Sequence, residues 1–375
     1  MARLLFVLND APFFLSHRLP LALAAQAAGH EVIVGTPAGD GVDAIRAHGL
    51  THQPLPLTRS GRNPLREAWA LLSLILLFRR LKPDLVHLVT IKPVMYGGIA
   101  ARIAGVPGVV AAISGLGFMF IRKGWRATLM RSLIGRLYGV ALGHPNQRII
   151  FQNSDDRDSV IALTGLPLAK TILIRGSGVD LQRYVATPLP DTAITVVLAA
   201  RFLVDKGVRE FVEAARALRQ AGSPARFVLV GSVDPANPAT LSAATVDGWI
   251  SEGIIECWGQ RSDMPAVLAS AHIVVLPSYR EGMPKVLLEA AACARAVVTT
   301  DVPGCRDAIE AGVTGLLVPL RDAGALATAL HSLIKDPARC RAMGLAGRAL
   351  AERAFDVRQV VACHLQIYQE VSTRS

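Results

Sequence analysis

ITVVLAARFLVDKGVREFVEAARALRQAGSPARFVLVGS, residues 194–232, decides the fold. Two short runs rich in Val and Leu, 194–201 and 225–232, flank a helical pattern through Glu210 to Arg219. An apolar strand, a helix and a second apolar strand make a βαβ unit, in which the strands are parallel and buried on both faces. Toward the C terminus the alternation returns in GIIECWG (253–259), HIVVLPS (272–278), ARAVVTTD (294–301) and GLLVP (315–319). Toward the N terminus it runs back through RIIFQN (148–153), VVAAIS (109–114), DLVHLVT (84–90), HEVIVGTP (30–37) and RLLFVLN (3–9), with helical patterns at 19–29 and 42–49. The chain therefore reads as two doubly wound α/β halves joined in the Gly- and Pro-rich stretch GSGVDLQRYVATPLPDT (176–192). The expected domains are 1–178 and 179–355, with a C-terminal helix over 356–375 able to pack back on the first. In such folds a ligand lies outside the carboxyl ends of the strands.

The 375 residues are 51% hydrophobic and 18% charged, enough apolar material for two cores and too much for a disordered chain. Five scattered cysteines form no CxxC pair, which argues against a disulfide framework or a structural zinc site and fits a reducing compartment. The opening MARLLFVLNDAPFFLSHRLP has no basic stretch ahead of an apolar one, so no secretory signal is expected. No apolar run reaches the ~18 residues needed to span a bilayer. A cytoplasmic protein is expected. Asn9-Asp10-Ala11-Pro12 follows the first strand where a dinucleotide-binding G-x-G-x-x-G would stand, and no GxxxxGK[ST], GxSxG or HExxH occurs.

The net charge of +11 is uneven. Residues 1–180 hold 20 basic and 10 acidic side chains, whereas residues 181–375 hold 20 and 19. Between positions 59 and 148 there are 14 Lys and Arg against Glu67 and Asp84. A patch of this kind serves nucleic acid, anionic lipid or a phosphorylated substrate; no nucleic-acid motif is present. The cluster Arg122, Lys123, Trp125, Arg126, Arg131 and Arg136 joins cations to an aromatic and an apolar face, as in a helix at a membrane interface or a core helix with a solvated basic side. Leu65 to Arg80 has the same character, an apolar middle ending in Arg79-Arg80-Leu81-Lys82.

The chemistry-bearing residues gather at strand ends of the second half. Arg201 and Lys206 lie in the loop after ITVVLAA (194–200), two cations beside a helix start, suited to a diphosphate. In Ser278-Tyr279-Arg280-Glu281-Gly282-Met283-Pro284-Lys285 a strand gives way to a helix near Pro284. Glu281 falls in that loop, and the N–H groups of Lys285 and Val286 at the helix start suit a phosphate. Glu289 sits about one turn further in, among apolar neighbours that argue against an exposed carboxylate. Gly259-Gln260-Arg261 forms a third strand-end turn. Asp155-Asp156, followed by a helical run, does not read as a metal-binding DxD loop.

Glu281 and Glu289, in E-x7-E spacing, with Arg201-Phe202 and Lys206-Gly207, resemble family-4 glycosyltransferases, retaining enzymes of the GT-B fold. That resemblance implies two Rossmann-like domains facing a central cleft. It implies that Arg201 and Lys206 bind the donor diphosphate, Glu281 contacts the donor sugar and Glu289 binds the ribose. Gly259-Gln260-Arg261 is similar to the family's nucleobase-contacting segment, and the backbone of Val286-Leu287 to its phosphate-binding turn. The first half, through Phe13–Leu21, His87–Pro93, Ile113–Phe118, Phe151–Asn153 and Gly176–Asp180, resembles members that extend sugars on undecaprenyl diphosphate in surface polysaccharide and glycan assembly. Two departures stand out: Asn9-Asp10 replaces a glycine pair, and Ser114-Gly115 stands where many members carry a histidine. No catalytic histidine is therefore assigned; His17 and His87 are candidates for acceptor contacts or simply packed histidines.

The function expected is transfer of a hexosyl or N-acetylhexosaminyl group from a nucleotide sugar, UDP-linked, to a polyprenyl-diphosphate saccharide. No metal or other cofactor is expected, since Arg201, Lys206 and a helix N-terminus can neutralise the leaving diphosphate. The partners expected are that donor, that acceptor and an anionic membrane surface, with the protein peripheral on the inner face of the cytoplasmic membrane. The rival readings are a nucleotide-sugar-binding protein without turnover and a GT-B epimerase.

Overall fold

The structure, a computed structural model, describes residues 2–57, 63–116, 135–235 and 237–372. Arg122, Lys123, Trp125, Arg126 and Arg131 lie outside the described residues, and Arg136 is exposed. The chain divides into two compact units, Met1–Ser177 with Arg358–Ser375, and Gly178–Val357.

The first unit is built on a seven-stranded parallel sheet. Its strands are β1 (Arg3–Val7), β2 (Glu31–Thr36), β3 (Thr51–Pro54), β4 (Leu85–Val89), β5 (Gly108–Ile113), β6 (Gln147–Phe151) and β7 (Thr171–Leu173), in the order β3-β2-β1-β4-β5-β6-β7. The second unit has a six-stranded parallel sheet of β8 (Thr195–Ala199), β9 (Arg226–Val230), β10 (Glu256–Cys257), β11 (Ile273–Leu276), β12 (Ala296–Thr300) and β13 (Gly315–Val318), in the order β10-β9-β8-β11-β12-β13. Every residue of β4, β5, β8, β11 and β12 is buried, which is why these strands read as unbroken apolar runs.

Helices cover both faces of each sheet. In the second unit Val208–Gln220 buries Phe211, Val212, Ala215 and Leu218 on one stripe, against Val196 and Leu198 of β8. On the other face Lys285–Ala292 packs Leu287, Leu288 and Ala291 against Val197, Val274 and Leu276. In the first unit the last helix, Val357–Ser372, buries Val360, Ile367, Tyr368 and Val371 over Leu4, Phe6, Leu85 and Val110. In each sheet the winding direction reverses once, between β1 and β4 and between β8 and β11. The loops leaving those strands flank the place where doubly wound proteins bind ligands.

Two edges differ from the sequence reading. Only Glu256–Cys257 of the run 253–259 joins the ladder, pairing with Val228 and Leu229. Ile254 and Ile255 are buried without being strand, held by core contacts instead. Thr51–Pro54 is a strand that the sequence does not announce, with Pro54 ending an edge strand, where its missing N–H is tolerated.

Candidate active site

In the second unit the strand-end loops converge. After β8 the chain turns through a short 3-10 segment, Val204–Lys206, and reverses at Gly207 with φ of 70°. A Cβ at Gly207 would lie 2.1 Å from the Pro277 carbonyl oxygen, so glycine lets this loop press against the end of β11. Tyr279 N–H donates to Asp205 O at 2.8 Å and clamps the two loops together. The Lys206 ammonium is thereby placed in an ion pair with Glu281 Oε1, to which Ser278 Oγ also donates at 2.6 Å. Lys206 and Glu281 side chains are 20% and 13% exposed, so the pair is partly shielded yet reachable.

Beside them, Asp205 is raised above the usual carboxylate range by burial, against the pull of Lys206, and its Oδ1 has no hydrogen-bond partner. Burial, with the Glu281 charge adding to it, pushes the Cys305 thiol up to about 12, so it stays protonated. Arg201 pairs with Asp234 Oδ2 at 2.6 Å. Asp234 sits in the loop leaving β9, next to the 259–261 turn, for Gly231 N–H donates to Gly259 O at 2.8 Å and Ser232 Oγ to Gln260 Oε1 at 3.4 Å. Arg261 is exposed and held bidentately by Asp263 at 2.8 and 2.6 Å.

Glu289 is 6% exposed, within reach of Lys285 Nζ at 3.3 Å and accepting from the Tyr184 hydroxyl. That helix begins at Lys285 with Pro284 as its cap, and Leu287 N–H is already given to Pro284 O at 3.0 Å. Of the expected Val286-Leu287 turn, Leu287 thus has its N–H engaged within the chain. Asp234, Ser278 and Tyr184 were not singled out from sequence. Asp234 had a signal, its place after the run 225–232; Ser278 and Tyr184 announced nothing beyond their loops.

The first unit gathers polar groups at the matching strand ends. Thr90, after β4, holds φ of 74°, unusual for a β-branched residue, and its hydroxyl donates to Asn9 Oδ1 at 3.1 Å. Asp10 caps the helix Ala11–His17 by accepting from Phe13 N–H at 3.1 Å. Ser114 Oγ is buried without a partner. Lys92 pairs with Glu67 at 2.7 Å; burial alone would raise Glu67, but hydrogen bonds from Lys92 and Tyr96 hold it below the usual range.

The two candidate histidines part ways. His87 is fully buried, stacked under Phe6 and His364, with Nδ1 2.5 Å from the Tyr368 hydroxyl, and is the packed histidine of its two readings. His17 is half-buried, stacked on Phe13 at 4.1 Å with Nδ1 2.6 Å from Ser16 Oγ. Arg18, His364 and Tyr368 complete the buried cluster around His87, and burial lowers the Arg18 guanidinium to about 10. Among the described residues no three His, Cys, Asp or Glu side chains gather as a metal site would need. No helix among them is long and apolar enough to cross a membrane.

Comparison with known proteins agrees with this architecture. Residues 3–153 match the family described as glycosyl transferase 4-like, and residues 193–336 match glycosyl transferases group 1. The N,N'-diacetylbacillosaminyl-diphospho-undecaprenol alpha-1,3-N-acetylgalactosaminyltransferase of Campylobacter jejuni is 30% identical over 344 residues, 86% of this chain and 89% of that protein. The UDP-Gal:alpha-D-GlcNAc-diphosphoundecaprenol alpha-1,3-galactosyltransferase of Escherichia coli is 25% identical over 287 residues, 72% of each. Among solved structures, HepE of Anabaena, crystallised with UDP and glucose, superposes with a TM-score of 0.77 at 18% identity, covering 98% of this chain and 100% of that one, a likeness of fold. With both halves matched in order and one relative aligned along most of its length, this chain belongs to the family-4 glycosyltransferases of GT-B fold.

Proposed function

We propose that this glycosyltransferase moves a hexosyl or N-acetylhexosaminyl group, with retention, from a UDP-sugar to a polyprenyl-diphosphate-linked saccharide in surface polysaccharide or glycan assembly. The second unit takes the donor and the first the acceptor. The observation that carries the reading is the Lys206–Glu281 pair at the winding reversal of the second sheet, with Arg201 on the same edge. A cation beside a carboxylate at this point suits a ligand that is anionic at one end and rich in hydroxyls at the other. Lys206 and Arg201 exchange their carboxylate partners for the donor diphosphate, freeing Glu281 to accept from the sugar. The positive N-terminal end of the helix from Lys285 adds to the stabilisation of the leaving group. Glu289 takes the ribose and the 259–261 turn the base. The acceptor class is suggested by the names of the Campylobacter and Escherichia relatives, and the uridine by the Escherichia one.

An acceptor of this kind keeps its polyprenyl chain in the bilayer, so the enzyme works as a peripheral protein on the inner face of the cytoplasmic membrane. The reading is tested by incubating the purified protein with UDP- and GDP-sugars and a polyprenyl-diphosphate saccharide, with the product linkage assigned by NMR. Retention of the donor's anomeric configuration is expected; inversion, or no nucleotide release from any pair, overturns the reading, the latter in favour of a nucleotide-sugar-binding protein. Because side chains and a helix end neutralise the diphosphate, turnover is expected to be unchanged by EDTA. Complete loss with EDTA, restored by Mg²⁺ or Mn²⁺, would show a metal in the reaction.

A further inference from the structure

The helix Pro64–Leu81 in the first unit is apolar on two opposite faces. Ala70, Leu74, Leu77 and Phe78 are buried in the core. Leu65, Trp69, Leu72 and Leu76, spaced by four, three and four, form a second stripe that is 81%, 58%, 45% and 52% exposed. A helix that covers a core needs one apolar stripe; a second, left open to water, marks a surface meant to be covered.

The edges of that stripe are cationic. At 100° per residue Arg79 falls on one flank and Arg80 on the other, Arg66 stands near the first turn, and Lys82 follows the last; all four are exposed. The one acid on the helix, Glu67, is occupied by Lys92 at 2.7 Å. The helix ends at a recess of about 390 Å³ lined by Phe78, Arg79, Lys82 and Asp84 among others, where cationic groups meet apolar surface.

We infer that this stripe is where the first unit lies on an anionic lipid bilayer, the helix parallel to the membrane plane. Leu65, Trp69, Leu72 and Leu76 enter the boundary between headgroups and acyl chains, and Arg66, Arg79, Arg80 and Lys82 meet lipid phosphates. Trp is at home in that boundary, and an apolar face rimmed by cations is the pattern of helices that lie in it. A second copy of the chain fits this surface poorly. Antiparallel pairing of two stripes sets Arg66 of one copy against Arg79 and Arg80 of the other, and parallel pairing sets like against like. The purpose of the surface rests on the lipid-linked acceptor proposed above; its existence does not.

The test is co-sedimentation of the whole protein with phosphatidylcholine vesicles, with and without phosphatidylglycerol. Binding to the anionic vesicles is expected, with a blue shift of emission that Trp69→Phe removes. The triple change Leu65→Ser, Leu72→Ser, Leu76→Ser is expected to weaken binding by roughly tenfold or more, with an unchanged thermal melt because all three side chains face water. Leu72→Phe with Leu76→Phe keeps binding, and Arg79→Glu with Arg80→Glu removes its dependence on phosphatidylglycerol. Vesicle binding indifferent to the serine triple overturns the inference, as does a dimer that the triple dissociates in a protein that binds no vesicle. Transfer to a short-chain, water-soluble diphosphate acceptor separates the two readings. Turnover there without vesicle binding defeats the surface alone; vesicle binding through the stripe without turnover on any acceptor defeats the function alone.

Discussion

Lys206 and Glu281 stand 75 positions apart in sequence and share one ion pair, which ties two strand-end loops together. Lys206→Ala and Arg201→Ala are each expected to cost about 2–4 kcal/mol of transition-state stabilisation, roughly 30- to 1000-fold in kcat/KM. The double variant should lose less than the sum if both cations serve one diphosphate, as proposed. Additive losses with unchanged donor affinity would separate the two residues. Glu281→Gln keeps the side chain's size and a carbonyl for Ser278, so its melt should hold while turnover falls; unchanged turnover at saturating donor removes Glu281 from the sugar site. Arg201 with Lys206 and Glu281 with Glu289 could be proposed from sequence because each pair lies within one short stretch of chain. Asp234, Ser278 and Tyr184 were not, because their pairings depend on which loops the sheet order brings side by side. His87 stayed open between two readings, because a polar residue inside an apolar strand signals a buried network as readily as a ligand contact.

At the scale of elements, two glycines with nearly the same φ separate conformational strain from packing. Gly207, at 70°, has the Pro277 carbonyl oxygen 2.1 Å from where a Cβ would stand; Gly259, at 66°, has open space there. Gly259→Ala is expected to cost about 1–2 kcal/mol, the strain of a left-handed alanine. Gly207→Ala should cost more than that and also lower donor affinity, because the β8 loop must move off β11 and takes Lys206 with it. Denaturant midpoints and donor titration read both, and equal effects of the two substitutions would contradict the close approach. The alternation of apolar runs made the buried strands legible, since burial on both faces leaves no choice of residue type. Edge strands lack that constraint, so Thr51–Pro54 passed unnoticed and 253–259 looked longer than the Glu256–Cys257 that pairs.

For the molecule as a whole, the doubly wound plan was legible because it repeats in both halves, whereas the polar packing inside it was not. The core cluster of Arg18, His87, His364 and Tyr368 makes stability depend on pH. Burial, then the Arg18 charge, holds His364 down to about 3 and His87 well below its ordinary value. The unfolded chain takes up these protons near 6.5, so the stabilisation is present at neutral pH and is lost as pH falls below about 6.5 toward the folded values. His52, His144 and His272 are lowered too, so removing one histidine should flatten the slope without abolishing it. Tm measured from pH 7.5 down to about 5 should fall less steeply for His364→Leu than for the parent; parallel curves would acquit the cluster. The helix that brings His364 and Tyr368 is the last segment described, 357–372, yet it belongs to the unit that begins the chain. On the ribosome, the strands of that unit emerge early, and Leu4, Phe6 and His87 lack the part of their cover that the last helix supplies. They wait through the synthesis of the entire second unit for their cover, so the half of the protein made first is the half completed last.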